Sequence, residues 1–430
     1  MDLRSPSLLE RYQLCRVDNK YYPNFNITVK YPIFQNYDSN QLSILLSNAI
    51  HRVIEKNPIL GCNYFKTNDN DEDYKNYMIR AIDIKYDDLI VNESSDIDEE
   101  YFTNLNDIFL EINVNKPLWR LIINKNYLTI VCSHIYFDGN SGCFFHKDLM
   151  EEINILNQKN LKDLPNLELI SRAEDIKSVP PSITDTSSVF SLPIIQTIKN
   201  LTSIYIPWFN ETTKYPIFKT TPISVDQILN NRFKILRINS QKLSKLLTYV
   251  RSNKLTLTPF LAAISLKILS KYYPEKALDV TIPLNGRKYD QSIDKYQGCV
   301  AESVIKLDPP FDNIETSGKI STKLTKDLES RNPFYQVALL KLVNIKDFFR
   351  QRIGSYGRHT VELSNVGKLP FEDCYFNQGC GFGCHLQLNV VSDLNGMNVL
   401  FGCIEEIEDV FYKVVDDFEK EIESIVSEVK

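Results

Sequence analysis

The chain has no run of the ~18 apolar, uncharged residues that a membrane-crossing helix needs, so no transmembrane helix is expected. Its first residues, Met1-Asp2-Leu3-Arg4-Ser5-Pro6, are polar, and no signal peptide is read there. Sequons such as Asn26-Ile27-Thr28 arise by chance in an Asn-rich chain and carry no weight without such a leader. No CxxC pair is present, which excludes a zinc ribbon. The nine cysteines are odd in number and lie mostly in apolar contexts, so they read as free buried thiols in a reducing compartment. Cys380, Cys384 and His385 form one local cluster, but a fourth ligand is lacking and no metal is expected. No basic cluster stands out. Lys and Arg are scattered, net charge is −6 and pI about 5.6, so nucleic acid is not an expected partner. No short-period repeat is visible.

What is present is a 430-residue chain with 43% hydrophobic and 24% charged residues, ordinary for a globular protein. That length exceeds one ordinary core and predicts two domains, or one large two-lobed fold. The apolar spacing predicts helices at about 7–16, 41–56, 98–111 and 143–157 in the first half. Strands are expected at 24–31, 59–65, 119–124 and 127–133, with a polar acidic loop at 67–75. From about 158 to 230 the periodicity decays among Pro165, Pro180, Pro181, Pro193, Pro207, Pro216 and Pro222, which reads as a long crossover. Its apolar part, 192–209, is expected to pack on the surface, and a lipid-facing role is the weaker alternative. The second half predicts strands at 232–238, 277–284, 298–305, 359–364, 384–391 and 397–404. Helices are expected at 240–252, at 260–272 with Thr258 as cap and Pro259 first, and at 314–330, 335–351 and 406–428.

The stretch with most chemical content is Ser133-His134-Ile135-Tyr136-Phe137-Asp138-Gly139. A hairpin of 119–124 and 127–133 delivers His134 to the end of a strand, and a helix leaves the turn after Asp138-Gly139. A histidine held this way can act as a general base, since its ordinary pKa lies near neutrality. The bland alternative is a histidine that only bonds the backbone at a strand end.

His134-x-x-x-Asp138-Gly139 resembles the HxxxDG active-site motif of CoA-dependent acyltransferases. With Trp119-Arg120-Leu121-Ile122 before it, it is similar to the yeast alcohol O-acetyltransferase family. Asn24-Phe25-Asn26, Lys56-Asn57-Pro58-Ile59-Leu60, Thr256-Leu257-Thr258, Pro283-Leu284-Asn285-Gly286-Arg287, Ser364-Asn365-Val366-Gly367 and Gly396-Met397-Asn398-Val399 extend the likeness over nearly the whole chain.

The resemblance implies an α/β fold of mixed sheets in two lobes of the chloramphenicol acetyltransferase type, with an active-site tunnel between them. On that reading, 1–157 is the N-terminal lobe with the motif, 158–230 the crossover linker and 231–430 the C-terminal lobe. Acetyl-CoA would be the co-substrate, no cofactor would be permanently bound, and a small or long-chain alcohol would accept the acetyl group by direct transfer. His134 would be the base. Asp138 would be structural and pair with Arg287, and Gly139 would let the backbone turn closely. Ser364 and Asn365 would bond CoA or the oxyanion, or merely end a strand. Trp119 and Arg120 read as packing and hairpin support. The DFGWG motif of plant relatives is absent, and Gly381-Phe382-Gly383 does not map onto it. A related branch acetylates long-chain amines such as sphingoid bases, and the sequence leaves alcohol against amine open. A non-enzymatic binding module fits poorly while His134 and the Asp-Gly turn are intact. A monomeric cytoplasmic protein is expected, with peripheral contact at the endoplasmic reticulum or lipid droplets left open. No long N-terminal amphipathic extension of the kind some yeast relatives use at lipid droplets is read, so tight attachment is not expected.

Overall fold

The computed structural model describes residues 2–68, 73–205, 213–219, 230–355, 359–380 and 383–429. Part of the acidic loop, residues 206–209 of the crossover, Pro222, and Gly381 and Phe382 therefore lie outside the described residues. The chain forms two compact units. The first comprises Met1–Thr186, Gln291–Cys299 and Leu369–Gln378; the second comprises Ser187–Asp290, Val300–Lys368 and Gly379–Lys430.

The first unit is built on a five-stranded sheet in the order Glu372–Gln378, Phe25–Lys30, Tyr127–Cys132, Trp119–Asn124, Ile90–Glu93. Neighbours are antiparallel except the last pair, which is parallel. The hairpin forms as expected, with Asn124 opposite Tyr127. Lys125 makes the tight turn with φ of 56°. The helix Ser39–Lys56 starts at Asp38, whose carboxylate accepts from the Gln41 amide in a capping box. It buries Leu45, Leu46, Ala49, Ile50, Val53 and Ile54, the stripe read from the sequence. Each such fully buried aliphatic side chain contributes roughly 1.5–3 kcal/mol relative to exposure. The strand Glu372–Gln378 was not foreseen; it pairs with Phe25–Lys30 from far along the chain.

The second unit has a six-stranded mixed sheet in the order Asn231–Asn239, Gly396–Ile404, Cys384–Ser392, His359–Lys368, Leu278–Asn285, Val300–Leu307. Its core packs Phe260, Ile264 and Ile268 of one helix and Phe411, Val415, Phe418 and Ile422 of another with Val361, Leu363, Leu386 and Leu388 of the sheet. Two expectations need correction here. The single helix predicted over 335–351 is two, Asn332–Ala338 and Ile345–Ser355, because the Asn344 side chain accepts from the Asp347 amide and starts a new helix. The helix Leu257–Tyr272 is capped at Thr256, not Thr258, whose hydroxyl instead accepts from Asn365. All nine cysteines are buried free thiols.

Candidate active site

The site is built where the hairpin hands over to a helix. The strand Tyr127–Cys132 ends, and the Ser133 amide still donates to the Leu118 carbonyl at 2.9 Å, which holds the last step of the ladder. Residues 134–136 turn, and the helix Gly139–Asn157 begins with Asp138 as its cap. His134 is therefore fixed from both sides within seven residues of regular structure.

Asp138 is 1% exposed, and its carboxylate binds main-chain amides and the Ser141 hydroxyl. Its Oδ1 accepts from the Ser141 amide at 3.0 Å, and Ser141 closes the capping box by accepting from the Asp138 amide. Its Oδ2 accepts from the Cys299 amide at 3.0 Å. The Gly298 amide donates to the Tyr136 carbonyl at 2.7 Å, and Ser141 Oγ donates to the Lys295 carbonyl at 3.0 Å. One carboxylate thus starts the helix and fastens residues 291–299 against the turn that carries His134. Gly139 is the first helical residue and its φ is not positive, so the freedom expected of it is not used there. The glycine the packing requires is Gly142, where a Cβ would lie 2.8 Å from Ile27 Cδ1 and 3.3 Å from Phe25 Cε2.

His134 is half-buried. Its ring meets Phe25 edge-on at 5.5 Å and 67°, and Tyr22 at 5.6 Å and 58°. The Arg16 guanidinium lies over the other partner, 4.4 Å from the Tyr22 ring centre, and the Tyr22 hydroxyl donates to Gln378 Oε1 at 2.8 Å. Loss of water around the ring and the nearby positive charge of Arg16 lower the His134 pKa to about 4. The negative charge of Asp138 and the carbonyls of His134 and Phe137 work the other way. The ring is therefore neutral at neutral pH, with a lone pair on one nitrogen. Backbone hydrogen bonds at His134 and Phe137 hold the ring in place.

A second histidine shows the structural alternative. His146 is 0% exposed; its Nε2 donates to the Ile27 carbonyl at 3.0 Å and its Nδ1 accepts from the Tyr31 hydroxyl at 3.0 Å. Both nitrogens are consumed in tying helix to strand. The neighbouring thiols are also inert: burial pushes Cys143 up to about 12 and Cys132 well above the usual thiol range.

Trp119 and Arg120 lie in the hairpin as expected. The Trp119 indole donates to the Leu60 carbonyl at 2.8 Å and packs on Phe145 at 5.1 Å. In the second unit, Ser364 is buried, with its hydroxyl 3.4 Å from Glu362 Oε1. Asn365 Nδ2 donates to Thr258 Oγ1 at 3.0 Å, and its Oδ1 accepts from the Gly367 amide at 2.9 Å. Two segments the sequence singled out are thereby joined. Arg287 sits in a short 3-10 turn after the strand Leu278–Asn285, its amide donating to Asn285 Oδ1 at 3.0 Å. Cys380 and Cys384 pack with Ile404, and His385 Nε2 bonds the Tyr273 hydroxyl at 2.8 Å. Among the described residues no group of side chains is placed to hold a metal.

Tyr22 and Arg16 were not foreseen. Phe25 was noticed only as part of Asn24-Phe25-Asn26; its pairing opposite Cys132 is the signal that would have placed it beside His134.

The site can be set beside known proteins. A chain from Schizosaccharomyces pombe described as uncharacterized is 21% identical, over 91% of this chain and 87% of its own length. Among solved structures, TRI3 trichothecene 15-O-acetyltransferase from Fusarium sporotrichioides is similar at a TM-score of 0.70 and 12% identity, with 98% of this chain and 94% of that one covered. The first condensation domain of the CDA synthetase is similar at a TM-score of 0.64 and 12% identity, covering 100% and 97%. These two are likenesses of fold, and they are two-lobed members of the CoA-dependent acyltransferase fold. The family model for alcohol acetyltransferases matches residues 7–422. The motif, the fold and that match agree, and the chain belongs to the alcohol acetyltransferase family, a family of CoA-dependent acyltransferases.

Proposed function

We propose that the protein transfers acetyl from acetyl-CoA directly to an alcohol, forming an acetate ester, with His134 as the general base. The observation that carries this reading is the His134 ring itself: half-open, clasped by Phe25 and Tyr22, and neutral at neutral pH. An alcohol attacks a thioester poorly until its proton is taken, and a positioned base contributes roughly 10²–10⁴-fold. A pKa near 4 is below the ideal for that task. Negative charge developing on the attacking and carbonyl oxygens counters the desolvation and strengthens the base as the reaction proceeds. The imidazolium then returns its proton to the departing CoA thiolate. The unreactive Cys132 and Cys143 thiols support transfer without an acyl-enzyme.

Asp138 holds the turn and takes no proton in this scheme. Arg287 is assigned as its charged partner, and Ser364 and Asn365 as donors to CoA or the oxyanion. These assignments rest on the family resemblance. They are tested by substitution: Ser364→Ala is expected to lower kcat with little change in acetyl-CoA affinity, and Arg287→Ala to lower both stability and rate.

The acceptor is tested by following free thiol with acetyl-CoA and either isoamyl alcohol or sphinganine. Thiol release and ester formation with the alcohol are expected. Release with sphinganine alone would move the protein to amine acetylation, and release with neither would remove the proposal.

A further inference from the structure

We propose that Arg16 binds a carboxylate on the acyl acceptor, so that the preferred alcohol is a hydroxy acid. The inference rests on the acceptor hydroxyl meeting His134 and adds what the rest of that molecule carries. Of the first three arginines in the chain, two have a carboxylate. Arg4 donates to both oxygens of Glu10 at 2.7 Å, and Arg11 lies 3.3 Å from Asp73. Arg16, in the last turn of the helix Leu8–Asp18, forms no ion pair among the described residues. The two acids of its own helix are taken, Glu10 by Arg4 and Asp18 by the Tyr74 hydroxyl at 2.9 Å. Arg16 donates to Gln13 Oε1 at 3.1 Å and stands 4.4 Å from the Tyr22 ring centre. An amide oxygen and a ring face position a guanidinium without neutralising it. The side chain is half-buried. Its charge has lost part of its water, and an anion would restore charge-assisted hydrogen bonds. A cation in the last turn also suits the helix dipole, but a side chain turned to solvent would serve that end equally well.

This charge lies beside the reacting group. The guanidinium carbon is 4.4 Å from the Tyr22 ring centre, which is 5.6 Å from that of His134, so guanidinium and imidazole are at most 10.0 Å apart. The Arg16 charge is felt at the imidazole, where it disfavours the protonated form. Tyr22 between them is held by its hydroxyl, which donates to Gln378 Oε1 at 2.8 Å. A hydroxyl on the ring nitrogen and a carboxylate on the guanidinium, each at about 3 Å, are spanned by a short hydroxy acid.

The same distance selects the acceptor over the donor. Acetyl carries no charge, and the phosphates of CoA stand a full pantetheine arm from the thioester that the alcohol must reach. An anion bound by Arg16 therefore travels on the molecule whose hydroxyl gives up its proton. That hydroxyl oxygen bonds the acetyl carbon, the carbon–sulfur bond breaks, and the proton passes through His134 to the CoA thiolate. The carboxylate changes no bond. Bound at Arg16, it offsets the positive charge and so strengthens the base as the hydroxyl arrives.

The test compares 4-hydroxybutyrate with 1-pentanol, a neutral alcohol of similar length. It is run at about pH 8, above the ordinary histidine range, so that His134 is neutral with or without Arg16. From thiol release, kcat/KM of the wild type is expected to favour 4-hydroxybutyrate at least tenfold. Arg16→Gln is expected to erase that preference through KM, and Arg16→Lys to keep most of it. A merely structural role would lower both acceptors together and leave their ratio in place. Binding of 4-hydroxybutyrate alone, followed through the His134 ring protons by NMR, is expected to weaken at least tenfold in Arg16→Gln. Equal use of the two acceptors by the wild type, or a preference that survives in Arg16→Gln, would overturn the proposal and leave acyl transfer standing. Thiol release with no acceptor, while 4-hydroxybutyrate still binds through Arg16, would keep this site and remove the acyl-transfer reading. Loss of acetyl-CoA affinity in Arg16→Gln, with that for 4-hydroxybutyrate unchanged, would also overturn it, because the anion would then be a CoA phosphate.

Discussion

His134 and Asp138 share one short turn, and both stood out in the sequence because the motif is local. The long-range part that Asp138 plays in holding the turn was not legible. Its Oδ2 bonds the Cys299 amide, a contact across 161 positions that no local pattern encodes. In Asp138→Asn the cap oxygen can survive, but an amide nitrogen set against the Cys299 N–H cannot accept. A drop in the urea midpoint worth about 1–3 kcal/mol is expected, together with slower turnover. A slower enzyme of unchanged stability would argue against the structural role. Arg16 tests the electrostatics. Its positive charge, relayed over the Tyr22 ring, disfavours the imidazolium. Arg16→Gln is expected to raise the His134 pKa above about 4, seen as an upward shift of its imidazole titration by NMR and of the acidic limb of kcat/KM. Arg16→Lys should keep the wild-type value. Nothing in the sequence near Arg16 announces this, because Tyr22 and His134 approach only after the strands pair.

At the scale of elements, helices with a strong apolar stripe were legible to within a few residues, such as Ser39–Lys56 and Glu408–Glu428. The helix Ile194–Tyr205 was not, because Pro193 and Pro207 punctuate the stretch it lies in, and the strand Glu372–Gln378 was not, because its identity depends on a distant partner. The motif helix is held to its sheet by close packing and by one histidine. Gly142→Val would drive side-chain atoms into Ile27 and Phe25, and a loss of about 1–3 kcal/mol in stability by urea unfolding is expected. His146, like His134, has its pKa lowered to about 4 by burial. The unfolded chain therefore takes up protons first, from about pH 6.5 downward. The stability these residues contribute is present above that pH and is lost as pH falls toward 4. Urea midpoints should decline across that window, and His146→Asn, weaker at neutral pH, should decline less.

At the scale of the molecule, length pointed to two domains or one two-lobed fold, and the mixed sheets were what the family resemblance implied. The return of residues 291–299 and 369–378 to the first unit was not legible, since it depends on Asp138 and on an edge strand rather than on any composition shift. A fragment of residues 1–186 lacks one edge of its five-stranded sheet and the partner of its helix cap. It is expected to unfold without cooperativity in a circular-dichroism melt, and a sharp transition would contradict that view of the unit.

Everything in the functional account converges on one ring. The decisive measurement is the rate of free-thiol release from acetyl-CoA with isoamyl alcohol, wild type against His134→Ala, with acetyl-CoA affinity measured beside it. A loss on the order of 10²–10⁴-fold in kcat with affinity retained is predicted for removal of a general base. Turnover within tenfold of wild type would contradict the assignment of His134.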